Sequence, residues 1–344
     1  MSEARRAVGP GRVNLIGDHT DYNQGLALPM AIGLGVTVEL IPADRPRLVV
    51  TSEAFDEPAT IPVAPVPDPT AVGSLAPPWA RLVAAMVTLA GPGSGGALSI
   101  TSTVPVGSGL SSSAALAVAL AEVFGTGGTP EAVARLCQAA EHRAGTPVGL
   151  LDPLVCAGGQ AGHAMLIDFA TLATRHIAVP GDAEFVVVDS GQRRTVRTSA
   201  YATRVAECET AAAVIGPLGL ATAADVPGLS DPVLRRRASH VVSECARVRA
   251  MAGALVHDDL TAAGRLLTES HRSLAGDFDV STPVLDDLVE HLGRRPGVFG
   301  ARMTGAGFGG CVVALTRPGA VDTDAWPTPA WRVRASDGTV AARR

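Results

Sequence analysis

The spacing of apolar positions divides the chain into a first half that mixes strands with helices and a second half dominated by helices. In the first half, apolar and β-branched runs predict strands at 36–41, 47–52, 97–104, 163–168 and 184–190. Helix-period patterns predict helices over 112–124 and 130–144. In the second half, helical stretches lie near 198–216, 231–252, 258–270 and 283–293, before a strand at 311–316.

The change in character comes at Ser190, so we place a boundary there, with one lobe over 1–190 and a second over 191–344. Residues 54–78 and 317–331 are rich in Pro, Ala and Asp, a composition typical of loops or poorly ordered connections. The order of elements predicts an α+β fold of two lobes. An active site is expected in the cleft between them.

The first motif, GRVNLIGDHTDYNQGLALP at 11–29, places six hydrogen-bonding side chains, residues 18–23, between two apolar stretches. Val13, Leu15 and Ile16 favour a buried strand or turn just before them. Polar side chains set between two segments that favour burial mark this stretch as a candidate binding loop.

The second motif, TVPVGSGLSSSAALAVAL at 103–120, predicts a strand, a glycine turn and an alanine-rich helix. Small residues let backbone N–H groups approach an anion, and a helix N-terminus adds roughly half a positive charge. A well-capped helix after a tight turn is the alternative. Three consecutive serines, 111–113, exceed what one cap needs, and we therefore favour phosphate binding.

The third motif, MTGAGFGGCVVAL at 303–315, matches G-x-G-x-x-G at Gly305, Gly307 and Gly310. A dinucleotide fingerprint needs a strand before the glycines and a helix after them. Here a strand-like run follows the glycines, which excludes that interpretation. Two interpretations remain open, a turn closely approached by a ligand or backbone segment and a tight turn between packed lobes.

Two carboxylates stand beside apolar residues. Glu141 lies on the edge of the apolar stripe of its helix, where it needs a cationic partner, either Mg²⁺ or an arginine. Asp152 lies in GLLDPLVC, where burial favours a general base, although Asp before Pro is also a common turn. The eight histidines show no metal-ligand spacing.

Composition narrows the function. The chain has 344 residues and a net charge of −5, which gives it no basic field for nucleic acid or anionic membranes. All 28 basic residues are arginine, and the lack of lysine excludes Walker A loops, protein-kinase sites and Schiff-base chemistry. Five scattered cysteines without C-x-x-C, and no signal-peptide core, predict a cytoplasmic protein with no membrane segment.

Taken in order, the three motifs resemble the signatures of the GHMP small-molecule kinases, and within them the galactokinase family. GRVNLIGDHTDYN, GLSSSAAL and MTGAGFGGCVVAL match the three signatures, and counterparts such as EHRAGTPVGLLD and DSGQRRTVRTSAYATRVAECET extend the similarity over most of 9–316. The resemblance implies a mixed sheet-and-helix N-terminal lobe and a ferredoxin-like C-terminal lobe. It also implies an ATP-dependent kinase that phosphorylates the anomeric hydroxyl of galactose.

The resemblance also implies roles for particular residues. Asp152 is the expected catalytic base and Arg12 the arginine that orients it and offsets phosphoryl charge. The implied sugar contacts are Asp18, His19, Thr20, Asp21, Gly149 and Tyr201. The implied ATP-binding residues are Gly107, Ser108, Gly109, Leu110, Ser111, Ser112 and Ser113, with Ser113 and Glu141 as Mg²⁺ ligands and Gly305 and Gly307 near the site.

Several positions depart from the family pattern. Asp18 stands where the family usually has glutamate, Pro153 replaces a glutamine, and the segment from Glu141 to Asp152 is one residue shorter. These departures keep open a sugar-1-kinase for another sugar, such as arabinose or an amino sugar. A third alternative is a sugar sensor that binds sugar and ATP without catalysis. The expected partners are a small sugar and ATP, and the chain is expected to be a monomer.

Overall fold

A computed structural model of the chain describes residues 3–105, 109–146, 148–192 and 197–339. The first lobe is built on a mixed sheet in the order β4-β3-β5-β2-β6-β7, with β1 paired to β2. The β3–β5 pair is parallel, and the other pairs are antiparallel. The strands are β1 (Arg5–Ile16), β2 (Leu26–Ala43), β3 (Arg47–Ser52), β4 (Phe55–Pro62), β5 (Gly95–Ser102), β6 (His163–Asp168) and β7 (Thr174–Ala178).

Helices cover one face of this sheet. They are α1 (Val72–Leu75), α2 (Arg81–Ala90), α3 (Ser112–Val123), α4 (Pro130–Arg143) and α5 (Leu151–Gly158). Alanine and glycine allow α3 to lie very close to β1, because a Cβ on Gly9 would come within 1.9 Å of the Ala115 carbonyl oxygen. This close approach places the start of α3 beside the middle of β1.

The second lobe carries an antiparallel sheet in the order β11-β8-β10-β9, packed against long helices. Its elements are β8 (Glu184–Asp189), α6 (Arg197–Ile215), α7 (Pro232–Val256), α8 (Leu260–Gly276), α9 (Pro283–Gly293), β9 (Val298–Thr304), β10 (Cys311–Thr316) and β11 (Ala330–Val333). Gly264 on α8 meets Gly300 on β9, where a Cβ on Gly300 would lie 1.9 Å from the Gly264 carbonyl oxygen. The two glycines let helix and strand touch through their backbones.

The predicted elements lie close to observed ones, but α2, α5, β7 and β9 were not predicted, and residues 317–331, expected as loop, include the first two residues of β11. Residues 54–78 are not only loop, because they contain β4 and α1. The boundary near Ser190 falls after β8, yet β8 pairs with β10 and β11 of the second sheet. The chain therefore passes from the first sheet to the second between β7 and β8. No helix in the described ranges is long and apolar enough to cross a membrane.

The largest apolar core spans both lobes. It includes Val13, Leu15 and Ile16 of the first motif together with Val186 and Val312 of the second sheet. All five are fully buried. Apolar residues on either side of the polar cluster at 18–23 therefore anchor that loop at the junction of the lobes.

Candidate active site at the junction of the two lobes

Arg12 of β1 and Asp152 of α5 form an ion pair in the first lobe. Arg12 leaves the middle of β1, and its Nε and Nη2 donate to the two carboxylate oxygens of Asp152 at 2.6 and 2.5 Å. Its Nη1 donates to the Gly109 carbonyl at 2.7 Å, which ties the pair to the loop before α3. A bidentate guanidinium fixes the orientation of a carboxylate as well as balancing its charge.

The N-terminus of α3 faces the same carboxylate. Ser111 lies in the left-handed region at φ 64°, and its hydroxyl donates to Asp152 Oδ2 at 2.5 Å. Its side chain makes no cap bond to the helix. The simple capping interpretation of the serines is therefore wrong for Ser111. A residue in a strained backbone conformation beside an ion pair is typical of a functional site.

Ser113, in the first turn of α3, forms a second polar pair with Glu141 of α4. The Ser113 hydroxyl donates to Glu141 Oε2 at 2.8 Å, and Glu141 is only 2% exposed. Burial raises the pKa of Glu141 to about 7. Among the described residues no group of three or more His, Cys, Asp or Glu side chains is arranged to hold a metal ion. A buried carboxylate next to a hydroxyl nevertheless supplies the oxygen donors that Mg²⁺ takes when phosphates complete its shell.

The remaining residues of the predicted phosphate loop are placed as follows. Gly107 and Ser108 lie outside the described residues. Leu110 is buried and its carbonyl accepts a hydrogen bond from the Arg12 backbone N–H at 3.1 Å. Ser112 is the first residue of α3 and is half-buried. The described part of the loop thus brackets the Arg12–Asp152 pair.

His19 is the most constrained side chain of the first motif. It lies in the left-handed region at φ 63° and is 6% exposed. Its Nδ1 lies 3.0 Å from the Tyr22 hydroxyl, whereas Nε2 is buried without a hydrogen-bond partner in the described part of the chain. Burial lowers the pKa of His19 to about 3, so the ring is neutral. An orphaned ring nitrogen in a cleft is a natural contact for a ligand hydroxyl.

An aromatic wall surrounds this ring. Tyr201 on α6 lies 5.8 Å from the His19 ring and 5.9 Å from the Tyr22 ring, and Phe278 lies 4.5 Å from His19. The structure therefore brings Tyr201 from the second lobe to the first motif. Aromatic faces of this kind suit the C–H face of a sugar and exclude water.

Asp21 lies directly beside Gly149. A Cβ on Gly149 would lie 2.5 Å from Asp21 Oδ2, which places the two in direct apposition. Burial raises the pKa of Asp21 to about 6, despite a backbone hydrogen bond from Tyr22 that lowers it. The absence of a side chain at 149 gives this carboxylate its space.

Thr20 does not face the cleft, contrary to the sugar-contact role implied by the resemblance. It is fully buried, and the single proton of its hydroxyl is shared between the carbonyl oxygens of Gly17 and Leu26, at 2.9 and 2.7 Å. Asn23 similarly donates to the His19 carbonyl at 2.8 Å. These two side chains hold the loop in its shape.

Asp18 is also committed to protein partners. Its Oδ1 accepts from Asn14 Nδ2 at 2.8 Å and from the Gly305 backbone N–H at 3.2 Å. Its Oδ2 is paired with Arg302. With three donors and 6% exposure, this carboxylate lies behind the cleft surface.

The third motif is the turn of the β9–β10 hairpin. A strand does precede the glycines, but another strand follows them, so the exclusion of a dinucleotide fingerprint holds. Gly305 and Gly307 have φ of 85° and 81°. A Cβ on Gly307 would lie 2.4 Å from the Val280 carbonyl oxygen, so a close backbone approach is what requires this glycine.

Sequence reasoning missed three buried polar residues of the second lobe that contact the first motif: His240, Glu244 and Arg302. Glu244 accepts from the Gly17 backbone N–H at 3.0 Å, and His240 Nε2 lies 3.2 Å from the Asp18 carbonyl oxygen. Burial alone raises the pKa of Glu244, but His240, Arg247 and Arg302 outweigh it and lower the value to about 2. For His240 and Glu244 the sequence did carry a signal, because these two polar residues stand four positions apart on the apolar face of α7.

Known families and proteins match most of the chain. A galactokinase galactose-binding signature matches residues 2–42, the GHMP kinase N-terminal domain residues 80–160, and the GHMP kinase C-terminal part residues 251–325. Human galactokinase is 42% identical over 92% of this chain and 88% of its own length. Galactokinase of Mycobacterium tuberculosis is 43% identical over 89% of this chain and 87% of its own.

Solved structures agree with these matches. Lactococcus lactis galactokinase, solved in complex with galactose, superposes with a TM-score of 0.87 at 30% identity, covering 99% of this chain and 95% of that one. A mevalonate kinase superposes with a TM-score of 0.70 at 19% identity and shows the fold alone. The predicted two-lobed α+β kinase fold is confirmed.

Proposed function

The chain belongs to the galactokinase family of GHMP kinases, and from this premise we propose that it transfers the γ-phosphoryl group of ATP to the anomeric hydroxyl of galactose. One observation carries the proposal. The Asp152 carboxylate is held beside the N-terminus of α3 by the Arg12 guanidinium and the Ser111 hydroxyl. The proposed base, its cationic partner and the phosphate-binding N-terminus of α3 therefore lie in contact with one another.

Asp152 acts as the general base in this scheme. One carboxylate oxygen of Asp152 accepts the proton of the anomeric hydroxyl as the sugar oxygen attacks the γ-phosphorus. The bond between that phosphorus and the leaving ADP oxygen breaks. Arg12 keeps the carboxylate in place and offsets negative charge on the transferring group. General-base catalysis supplies typically 10²–10⁴-fold, and positioning supplies much of the remaining rate enhancement in phosphoryl transfer.

The ATP phosphates lie at the start of α3 in this proposal. The backbone N–H groups of residues 111–113 begin the helix and are free of the carbonyl partners that later turns have. Ser113 and Glu141 would hold the magnesium ion, which supplies charge neutralisation on the phosphates when bound. The Ser113–Glu141 hydrogen bond of 2.8 Å supports this, since it brings a hydroxyl and a carboxylate together at the loop.

The sugar lies between the first motif and α6. We assign its direct contacts to His19 Nε2, the Asp21 carboxylate, the Gly149 backbone and Tyr201. A neutral polyol offers hydroxyls without charge, so a neutral ring nitrogen, an acceptor and an aromatic face match it. Asp18 lies behind these groups and acts on the sugar through the loop. Gly149 is two residues from Leu151, where α5 begins. The proposed sugar contact at Gly149 and the proposed base, Asp152, are therefore joined by a short stretch of chain.

ADP release with Mg·ATP against galactose, glucose, arabinose, galactosamine, N-acetylgalactosamine and no sugar tests the proposal. Turnover strongest on galactose, with a sugar 1-phosphate identified by ³¹P NMR, is the expected result. Preference for arabinose or an amino sugar would move the substrate assignment and keep the mechanism. No turnover on any sugar, with galactose still raising the melting temperature, would replace the enzyme with a sugar sensor.

The setting of the reaction belongs to the same proposal. We place it in the cytoplasm, because five buried cysteines without a disulfide in the described chain suit a reducing compartment. We also propose that the protein acts as a monomer, because one chain supplies every group assigned above. Light scattering after size-exclusion chromatography measures that state, and a dimer mass would refute it.

A further inference from the structure

Arg302 on β9 reaches across the lobe junction into the first motif. It is fully buried, its Nη1 donates to the Leu15 carbonyl at 2.8 Å, and its Nη2 is paired with the Asp18 carboxylate. A buried guanidinium is costly to desolvate unless it is paired and hydrogen-bonded. The planar fork of arginine meets most of this need, because its two Nη groups bond a backbone carbonyl and a carboxylate, whereas Nε is buried without a hydrogen-bond partner in the described part of the chain.

The residues after Arg302 continue the contact. The Thr304 hydroxyl donates to the Asn14 carbonyl at 2.8 Å, and the Gly305 N–H donates to Asp18 Oδ1 at 3.2 Å. We call Arg302, Thr304 and Gly305 the clamp. Its four bonds to the first motif end on residues 14–18, immediately before His19. The clamp therefore holds the segment that sets the position of the sugar-facing ring.

The backbone at His19 needs such support. A histidine at φ 63° occupies a region that costs of order 1–3 kcal/mol for a non-glycine residue, so surrounding contacts must hold it there. The clamp lies on one side, and His240 and Glu244 hold the Asp18 carbonyl and the Gly17 N–H on the other. The strained conformation thus depends on the second lobe.

We propose that Arg302 is a positioning residue that sets the affinity for sugar by anchoring Asp18, and that Asp18 acts as the anchor of the loop instead of as a sugar ligand. This inference rests on the proposed function. It gives the third motif its role, because the hairpin turn carries the clamp to the sugar-binding loop. None of these bonds reaches the residues proposed to bind ATP at the start of α3.

Arg302→Lys tests the proposal. Lysine keeps the charge but lacks the fork, so a single nitrogen on a flexible chain replaces the two fixed nitrogens that bond Leu15 and Asp18. Loss of a charge-assisted hydrogen bond predicts a sugar KM raised about tenfold or more, with the KM for ATP changed by less than about twofold. Thr304→Val is an isosteric change in the same clamp and should raise the sugar KM by about fivefold. This variant tests the proposal if Arg302→Lys does not fold.

A double-mutant cycle separates an anchor from a ligand. If Arg302 acts through Asp18, then Arg302→Lys in an Asp18→Asn background should change the sugar KM by less than about twofold further. If Asp18 contacts sugar directly and Arg302 only packs the lobes, Asp18→Asn alone raises the sugar KM and Arg302→Lys leaves it unchanged. That second pattern overturns the proposal.

Arg332→Met is the matched control. Arg332 lies on β11 of the same sheet, is bonded to the Val321 carbonyl at 3.0 Å and lies 3.8 Å from Glu184, far from the loop. Its replacement should leave both KM values unchanged, and a rise equal to that of Arg302→Lys would refute a specific clamp. Inactive wild-type protein would refute the proposed function itself, whereas active wild type with unchanged variants would refute the clamp alone.

Discussion

Adding one methyl group at Gly149 tests the sugar site with little risk to the fold. Gly149 is exposed in the cleft, so alanine there displaces no core residue. Its Cβ would lie 2.5 Å from Asp21 Oδ2, whereas ordinary contact begins at 3.4 Å, so the Asp21 carboxylate must move by about 0.9 Å. A misplacement of about 1 Å in a reacting complex can cost about 100-fold, or roughly 2.7 kcal/mol of transition-state stabilisation.

Steady-state kinetics with saturating Mg·ATP measures this effect. Gly149→Ala should lower kcat/KM for galactose by about 100-fold while the KM for ATP and the melting temperature stay at wild-type values. Gly253→Ala is the control, because Gly253 lies in α7 with open space around it. That change should keep full activity and raise stability by about 0.5–1 kcal/mol. Unchanged galactose kinetics in Gly149→Ala would remove the Asp21–Gly149 pair from the sugar site.

Two further predictions concern the carboxylates. Asp152→Asn keeps the shape of the side chain but cannot accept the proton, so kcat should fall about 10²–10⁴-fold. Stopped-flow kinetics measures that fall, and a thermal-shift assay should show that the variant still binds sugar. Near-normal turnover would exclude Asp152 as the base. Burial raises the pKa of Asp21 to about 6, so the folded state holds a proton that the unfolded chain has released, and stability falls as pH rises from about 4 to 6. Sugar-free Asp21→Asn should therefore be more stable than wild type by about 2 kcal/mol at pH 7.5 and equal to it near pH 4, and equal denaturant midpoints at both pH values would contradict this cause.

The helices and strands that the sequence predicted followed from local periodicity, whereas α2, α5, β7 and β9 were not predicted. Helix α9 and the strands β3, β6 and β10 begin and end where the apolar pattern predicts. Strand β4 was missed because its sequence, FDEPATIP, is polar and carries two prolines. It lies at the edge of the sheet, where a missing N–H is tolerated, and pairing with β3 alone makes it a strand.

Residue types alone also predicted part of the chemistry of the candidate site. Clustered serines and glycines indicated phosphate binding, and two carboxylates beside apolar residues pointed to a base and a cation ligand. The pairing of Arg12 with Asp152 joins residues 140 positions apart, and the pattern around either one does not contain the other. The resemblance to a family supplied that pairing, and the structure places the two together.

Only the tertiary structure decided which polar groups face the cleft and which hold it in shape. The composition of the first motif makes Asp18, Thr20 and Asp21 equivalent candidates, yet the fold bonds Thr20 to its own loop and Asp18 to Arg302, 284 positions away. Local sequence fixes where a side chain leaves the backbone, whereas the packing of two lobes on one shared core fixes what it meets. Partners brought together by that core have no local signal in the sequence, and they determine that Asp21 lies beside Gly149 instead of being bonded within its own loop.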